Sequence, residues 1–491
     1  MAGVETGTIT TDIPARMDRL PWARWHWLVV VGLGTVWILD GLEVTIVGSM
    51  SEALKPNDTG LGLSSSDVGM AGAMYVAGAC IGALFFGQLT DRFGRKKLFL
   101  ITLGVYTVAT VLTAFSMNPA WYFACRFLTG TGIGGEYAAI NSAIDELIPA
   151  KYRGRVDVAI NGSFWVGAAL GSLLTIPLLD PNIVDPSWGW RAAFGLGAIL
   201  AVGILIVRRH VPESPRWLFI HEREEEAERI VRGIEQTVEE ETGRELHGVD
   251  DTITIRQRRT ISLALIAKTV FTMYPRRTVL CFSLFVGQAF LYNAFFFTYG
   301  DTLGTFLDVK QTGWYLAIFA ASNFLGALLL SPLFDSLGRV RMIAGTYILS
   351  GVLLAVAGTM LGSLTAVTLT LFGAVIFFFA SAGASAAYLT ASEIFPMETR
   401  ALCIAFFYAI GTAAGGITGP LLFGKLIDGA DAITDIAPGY FLGAGLMVIG
   451  GVVEIFLGVK AEGQSLEDIA QPLTAEDQPS SGGEQRERSN A

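Results

Sequence analysis

Charge is what this sequence has least of. Asp, Glu, Lys and Arg make up 16% of its 491 residues, against about 25% in soluble domains. A water-soluble chain of this length needs more polar surface than that, so a soluble globular fold is excluded. Cysteine is equally scarce. Cys80, Cys125, Cys281 and Cys403 all fall inside apolar stretches, which excludes a disulfide framework and makes them small packing residues. There is no metal-spaced Cys or His group, no H-E-x-x-H and no G-x-S-x-G, so a membrane-embedded enzyme finds no support. Without G-x-x-x-x-G-K-[ST], neither does transport driven by ATP. The first 23 residues hold no apolar run, so no cleavable signal peptide is expected and the first span would serve as an uncleaved anchor. The net charge is −10 and the basic residues sit in short loops, which argues against nucleic-acid binding.

What is abundant is apolar sequence, 52% of the chain, arranged in separate runs of about 20 residues, the length that crosses a bilayer core as helix. A membrane β-barrel would show short alternating segments instead. Twelve spans are expected, near 25–48, 68–90, 98–116, 120–144, 157–179, 190–210, 276–299, 312–334, 342–362, 366–391, 401–424 and 438–459. The expected organisation is an N-terminal segment (1–24), a six-helix bundle (25–210), a polar linker with two short amphipathic helices (211–275), a second six-helix bundle (276–460) and a disordered polar tail (461–491). Of the 34 Lys and Arg, only Lys55, Arg191, Lys310 and Lys425 fall in loops on the side opposite the termini, and only Arg126 lies deep in a span. The positive-inside rule therefore places both termini in the cytoplasm of a multi-pass cell-membrane protein.

An internal repeat is visible. Asp91-Arg92-Phe93-Gly94-Arg95 follows the second span and Asp335-Ser336-Leu337-Gly338-Arg339 follows the eighth, an offset of 244 residues. Glu146-Leu147-Ile148-Pro149 with Arg153 follows the fourth span, and Glu393-Ile394-Phe395-Pro396 with Arg400 follows the tenth, an offset of 247. Near-equal offsets point to two six-helix halves in parallel orientation, as in transporters that rock two bundles around a midplane site. The fold class expected is therefore an all-α membrane protein of twelve transmembrane helices in two pseudo-symmetric six-helix bundles.

At these residues the chain resembles the major facilitator superfamily, and within it the sugar porters and the proton-coupled metabolite and aromatic-acid symporters. Gly87-Gln88-Leu89-Thr90-Asp91-Arg92-Phe93-Gly94-Arg95-Lys96-Lys97 is similar to the superfamily's cytoplasmic gate motif. Pro212-Glu213-Ser214-Pro215-Arg216-Trp217-Leu218 looks like the sugar-porter signature after helix 6, and Arg126 through Glu136 like the helix 4 motif. The resemblance implies a cytoplasmic gate of Asp91, Arg92, Arg95, Glu136, Glu146, Arg153, Asp335, Arg339, Glu393 and Arg400. Charge-paired loops between halves can latch one conformation and release another. The bland alternative is that the basic residues only set topology.

Asp40 and Glu43 stand in the first span, and an intramembrane carboxylate is a functional hypothesis by default. Their spacing of three puts both on nearly one helix face. Glu43 lies about 27 Å up from the cytoplasmic start of its helix, and Arg126, on a helix running the other way, about 21 Å up. The two heights agree within about a turn, so a carboxylate in the first span is the economical partner for Arg126. An ion pair that opens as the halves rock would let the freed acid take up a proton; a static pair that fixes helix packing is the alternative. By the resemblance, Glu43 and Arg126 fall at the sugar porters' proton-linked Asp and helix 4 Arg. Glu in place of Asp leaves open which of Asp40 and Glu43 titrates.

In the seventh span, Gly287-Gln288-Ala289-Phe290-Leu291-Tyr292-Asn293 resembles the porters' Q-Q-x-x-G-x-N, with Gln288 and Asn293 on the sugar-contacting Gln and Asn. Asn161 falls at the porters' helix 5 Gln, and Tyr388 replaces a helix 10 Trp. Amides in apolar helices either line a cavity or bind helices together. Trp37, Trp165 and Tyr292 are further substrate-side candidates. The expectation is a monomeric, non-enzymatic secondary transporter that takes up a small polar metabolite, such as an organic or aromatic acid or a sugar, with the proton as coupling ion and no cofactor. Proton-driven efflux of amphipathic compounds is the alternative.

Overall fold

The computed structural model of the chain describes residues 5–208, 213–215, 218, 223–248, 252–258, 268–395 and 400–460. Twelve long helices cross in sequence. Spans 1 to 6 are Arg24–Ser49, Ser65–Phe93, Arg95–Ala114, Pro119–Leu147, Ala150–Leu178 and Pro186–Arg208. Spans 7 to 10 are Pro275–Leu307, Gly313–Ser336, Arg339–Met360 and Ala366–Glu393. Span 11 runs from Arg400–Thr412 through a π-helical turn, Ala413–Ile417, into Thr418–Asp428, and span 12 is Ala437–Leu457. Ten of these are apolar and long enough to cross a membrane by composition alone, among the described residues. Spans 4 and 5 are not among those ten.

Each half repeats one packing scheme. Span 2 packs on 4, 1 on 5 and 3 on 6; span 8 packs on 10, 7 on 11 and 9 on 12. The halves meet where span 5 lies on span 8, span 2 on span 11, and span 1 on span 7. Each half buries its own apolar core. The repeat read from the sequence has a backbone counterpart. Gly94 and Gly338, 244 residues apart, break the chain between spans 2 and 3 and between spans 8 and 9 at φ values of 92° and 91°. A side chain at either would be strained there.

Close helix contact comes from small residues, as membrane helices require. A Cβ at Gly130 would lie 2.0 Å from the Tyr75 carbonyl oxygen, and one at Gly134 1.9 Å from that of Ala79. These two glycines press span 4 against span 2 and thereby set the height of Arg126.

Two features stand on the termini side, and of these the strand pair was not legible in the sequence. The N-terminal segment forms a strand, β1 (Glu5–Thr11), which pairs antiparallel with β2 (Ile253–Arg258) from the linker. The linker also contributes an amphipathic helix, Glu224–Thr242, whose Ala227, Val231, Ile234 and Val238 are buried with the N-terminal core. Arg16 clamps it, with Nη1 2.7 Å from Glu228 Oε2 and Nη2 2.6 Å from Glu235 Oε2, and Arg19 also pairs with Glu235. Two linker helices were expected; the one described is this one. The tail after 460, expected to be disordered, lies outside the described residues.

Candidate functional site

Span 1 is almost wholly buried around its midpoint. Glu43 and Arg126 are each 0% exposed, and Arg126 Nη1 donates to Glu43 Oε1. The second carboxylate oxygen of Glu43 accepts from the Tyr106 hydroxyl at 3.3 Å. The guanidinium of Arg126 lies 4.7 Å from the Tyr75 ring centroid and 5.9 Å from that of Phe194. Its Nε and Nη2 receive no hydrogen-bond partner, so aromatic faces stand where acceptors would be. Asp40, one turn along span 1, is 2% exposed and its Oδ1 has no partner. Of the two span 1 carboxylates, then, Glu43 is the one that meets Arg126.

The second group straddles the halves. Trp165 of span 5 lies 5.6 Å from Tyr292 and 5.7 Å from Phe296, both of span 7. Tyr292 and Phe296 stack at 6.1 Å with a 2° interplanar angle, and Phe377 of span 10 closes edge-on at 5.3 and 5.4 Å. Asn161, Trp165, Tyr292, Asn293 and Tyr388 are only half-buried although each lies well inside its helix. Partial exposure at these positions, between two halves, is the pattern of residues lining a central cavity.

Several polar side chains here are already engaged. Tyr292 donates to Asn323 Oδ1 at 2.6 Å, and Asn323 Nδ2 donates to the Phe319 carbonyl at 2.8 Å. Asn293 Nδ2 donates to the Ala289 carbonyl at 2.8 Å and sits against Gly416 in the π-helical turn of span 11. Gln288 lies beside Tyr388, whose ring is 4.9 Å from Phe285. Trp37 instead packs edge-on to Phe164, 6.2 Å away, within the N-terminal half.

On the termini face, Glu136 is buried and Arg339 half-buried. The side chains of Asp91, Arg92, Arg95, Glu146, Arg153, Asp335, Glu393 and Arg400 lie outside what is described. One link between motifs is present. Glu213, from the signature after span 6, accepts from the Lys96 backbone N–H at 3.1 Å, placing a carboxylate on the N-terminus of span 3.

The face opposite the termini is closed by contacts between the halves that sequence reading missed. Lys55, just past span 1, pairs with Asp301 of span 7 and reaches Thr305 Oγ1 at 2.8 Å. Asp428, ending span 11, accepts from the backbone N–H groups of Ser65 and Ser66 at the start of span 2, each at 2.8 Å. Thr312 donates to the Ser49 carbonyl at 2.9 Å. A Cβ at Gly48 would meet the Phe296 carbonyl oxygen at 1.9 Å, and one at Gly300 that of Gly48 at 2.1 Å. The signal was available: Asp301 is a carboxylate inside an apolar run, and Lys55 is a cation on the sparsely charged side.

A family model described as "Sugar (and other) transporter" matches residues 34–473. The niacin transporter NiaP of Acinetobacter baylyi is 30% identical over 473 residues, covering 93% of this chain and 99% of that one. The 4-hydroxybenzoate transporter PcaK of the same organism is 25% identical over 422 residues, covering 84% and 88%. Among solved structures, the inward-open xylose transporter XylE of E. coli superposes with a TM-score of 0.68 at 20% identity, covering 91% of this chain and 98% of that one. With a family model spanning most of its length and twelve helices in two matched halves, the chain belongs to the sugar (and other) transporter family of the major facilitator superfamily, and is a multi-pass membrane transporter rather than an enzyme.

Proposed function

We propose that this transporter takes up a small aromatic carboxylate together with protons, by alternating access. The observation that carries the reading is the Trp165–Tyr292–Phe296 group, whose flat faces come from both halves and frame the central cavity. A planar ring stacks on such faces. A sugar needs several free hydrogen-bonding groups instead. Asn293 and Asn323 already bond within the protein, which favours the ring acid over the hexose or pentose. Relatives named for niacin, 4-hydroxybenzoate and gallate support the same class.

Coupling is assigned to Glu43 and Arg126. The substrate carboxylate competes with Glu43 for the guanidinium, which has two nitrogens without hydrogen-bond acceptors. Once displaced, Glu43 cannot stay charged and unpaired in a dry interior, so it takes a proton and the two travel together. Return of Arg126 to Glu43 releases both. The proposed location is the plasma membrane with both termini cytoplasmic, from the distribution of Lys and Arg.

The test is uptake into proteoliposomes with an imposed inward proton gradient. Labelled nicotinate or 4-hydroxybenzoate is expected to accumulate, and xylose is not. Accumulation of xylose alone would replace the substrate class; gradient-driven extrusion of the acids would reverse the direction.

A further inference from the structure

The short helical turn after span 1, Ser51–Leu54, carries Glu52, and Lys55 follows it. Lys55 Nζ lies 2.8 Å from Glu52 Oε1 and also pairs with Asp301 Oδ1. Asp301 is fully buried in the seam between the halves, and its Oδ2 receives no hydrogen bond. The Glu52 carboxyl lies within hydrogen-bonding reach of Asp301. It also rests on the backbone of span 7: a Cβ at Gly304 would come within 2.2 Å of Glu52 Cδ. Two carboxyls from opposite halves therefore share one ammonium, and Glu52 Oε1 and Asp301 Oδ2 are each left without a hydrogen bond. A proton on Glu52 would cancel the surplus negative charge and supply the missing hydrogen bond.

We propose that Glu52, Lys55 and Asp301 form a proton-operated latch that holds the halves together on the face opposite the termini. This face is extracellular in the proposed orientation. The latch is separate from the Glu43–Arg126 pair, two turns deeper in span 1.

The groups that face Glu52 are Lys55 beyond its own turn and Asp301 on span 7. Span 6 also packs here, but its Arg191 is turned to the carbonyls of Ala114 and Ser116 at 2.7 and 3.0 Å. Burial pushes the Glu52 carboxyl above its usual range, Lys55 pulls it down and Asp301 pushes it up again, with a net rise. Burial works against the Lys55 charge, but Asp301 and Glu52 beside it leave its affinity for the proton raised. The sign for Glu52 follows. Its closed-state affinity for a proton exceeds the open-state one, so closure is favoured at low pH. That advantage is lost as pH rises from the ordinary carboxylate value, about 4.3, through the higher value of the closed state.

The experiment is a spin-label distance across this face in the full-length protein in lipid nanodiscs. Met117→Cys and Ala432→Cys place labels on exposed positions of the two halves, and the four native cysteines are buried. From about pH 5 to about pH 8, the closed-to-open ratio is expected to fall about fivefold or more, the low end of ordinary coupling between sites. Glu52→Gln should keep the short distance across the range and lose the pH response. Glu52→Ala removes the carboxyl altogether and should also lose the response, so the result does not hang on one variant folding. Asp301→Asn should populate the long distance even at low pH. An undiminished pH response in both Glu52 variants overturns the proposal, as does an unchanged distance distribution in Asp301→Asn. The response should persist in Glu43→Gln. If it vanishes there, it belongs to the deeper pair and the latch is overturned, whatever the uptake assay shows.

Discussion

The two halves share a packing scheme and differ in what they bury. The N-terminal half holds Asp40, Glu43, Arg126 and Glu136 at 2% exposure or less, well inside its helices. The C-terminal half fills the same space with rings, among them Phe285, Phe295, Phe319, Phe377, Tyr299 and Tyr347. Among the described residues, its buried carboxylates, Asp301 and Glu454, stand toward helix ends. Carried across the repeat, whose offsets are 244 and 247 residues, Arg126 falls among Thr370, Leu371, Phe372 and Gly373. A six-helix bundle of this kind thus holds together without a central ion pair. Burying one is costly, and well-packed apolar groups of similar volume are often as stable. Under the proposed coupling, the pair in the N-terminal half is explained by what it does when it opens.

The sharpest way to break this comparison is to make one half resemble the other. Arg126→Met alone strands Glu43 and should cost about 3–5 kcal/mol, seen as a collapse in folded yield and thermal stability. Adding Glu43→Met should recover most of that loss while proton-driven accumulation stays absent. A double variant no more stable than the single one would show the pair to be structural. Next in size, Glu43→Gln should abolish accumulation driven by the proton gradient yet leave substrate exchange partly intact. Unchanged accumulation in both Glu43→Gln and Asp40→Asn would remove the coupling role from span 1.

On the other side of the comparison, Gln288→Ala should raise the apparent substrate constant several-fold, in line with a lost hydrogen bond of about 1 kcal/mol, at normal membrane yield. Normal affinity with poor yield would mark Gln288 as packing. The smallest effect concerns the strap that only the N-terminal half carries. Burial pushes Glu235 up, but hydrogen bonds from Arg16 and Arg19 win and hold it below the usual carboxylate range. The tie is present above about pH 4.3 and weakens as pH falls through that lower value. Arg16→Ala should cost no more than about 1 kcal/mol, read as faster proteolysis between β1 and the linker helix.

Span number and order were legible because a run of about 20 apolar residues has one outcome in a bilayer. Boundaries moved by only a few residues, except that span 5 begins at Ala150 and span 7 continues to Leu307. The pairing of β1 with β2 joins segments some 250 residues apart that lack strong periodicity, so nothing local announces it. Glu43 and Arg126 stood out as charges in apolar helices, while Tyr106, Tyr75 and Phe194 around them look like any packing aromatic until the helices are placed.

The sequence by itself determined the membrane class, the two-fold internal repeat and the short roster of intramembrane charges. Each follows from the cost of exposing polar groups to lipid, a property of residue type and spacing alone. Only the tertiary structure decided that Arg126 meets Glu43 and not Asp40, and that Lys55 reaches across to Asp301. Which of two acids one turn apart touches a third helix depends on rotation and close approach, set here by glycines such as Gly130 and Gly134.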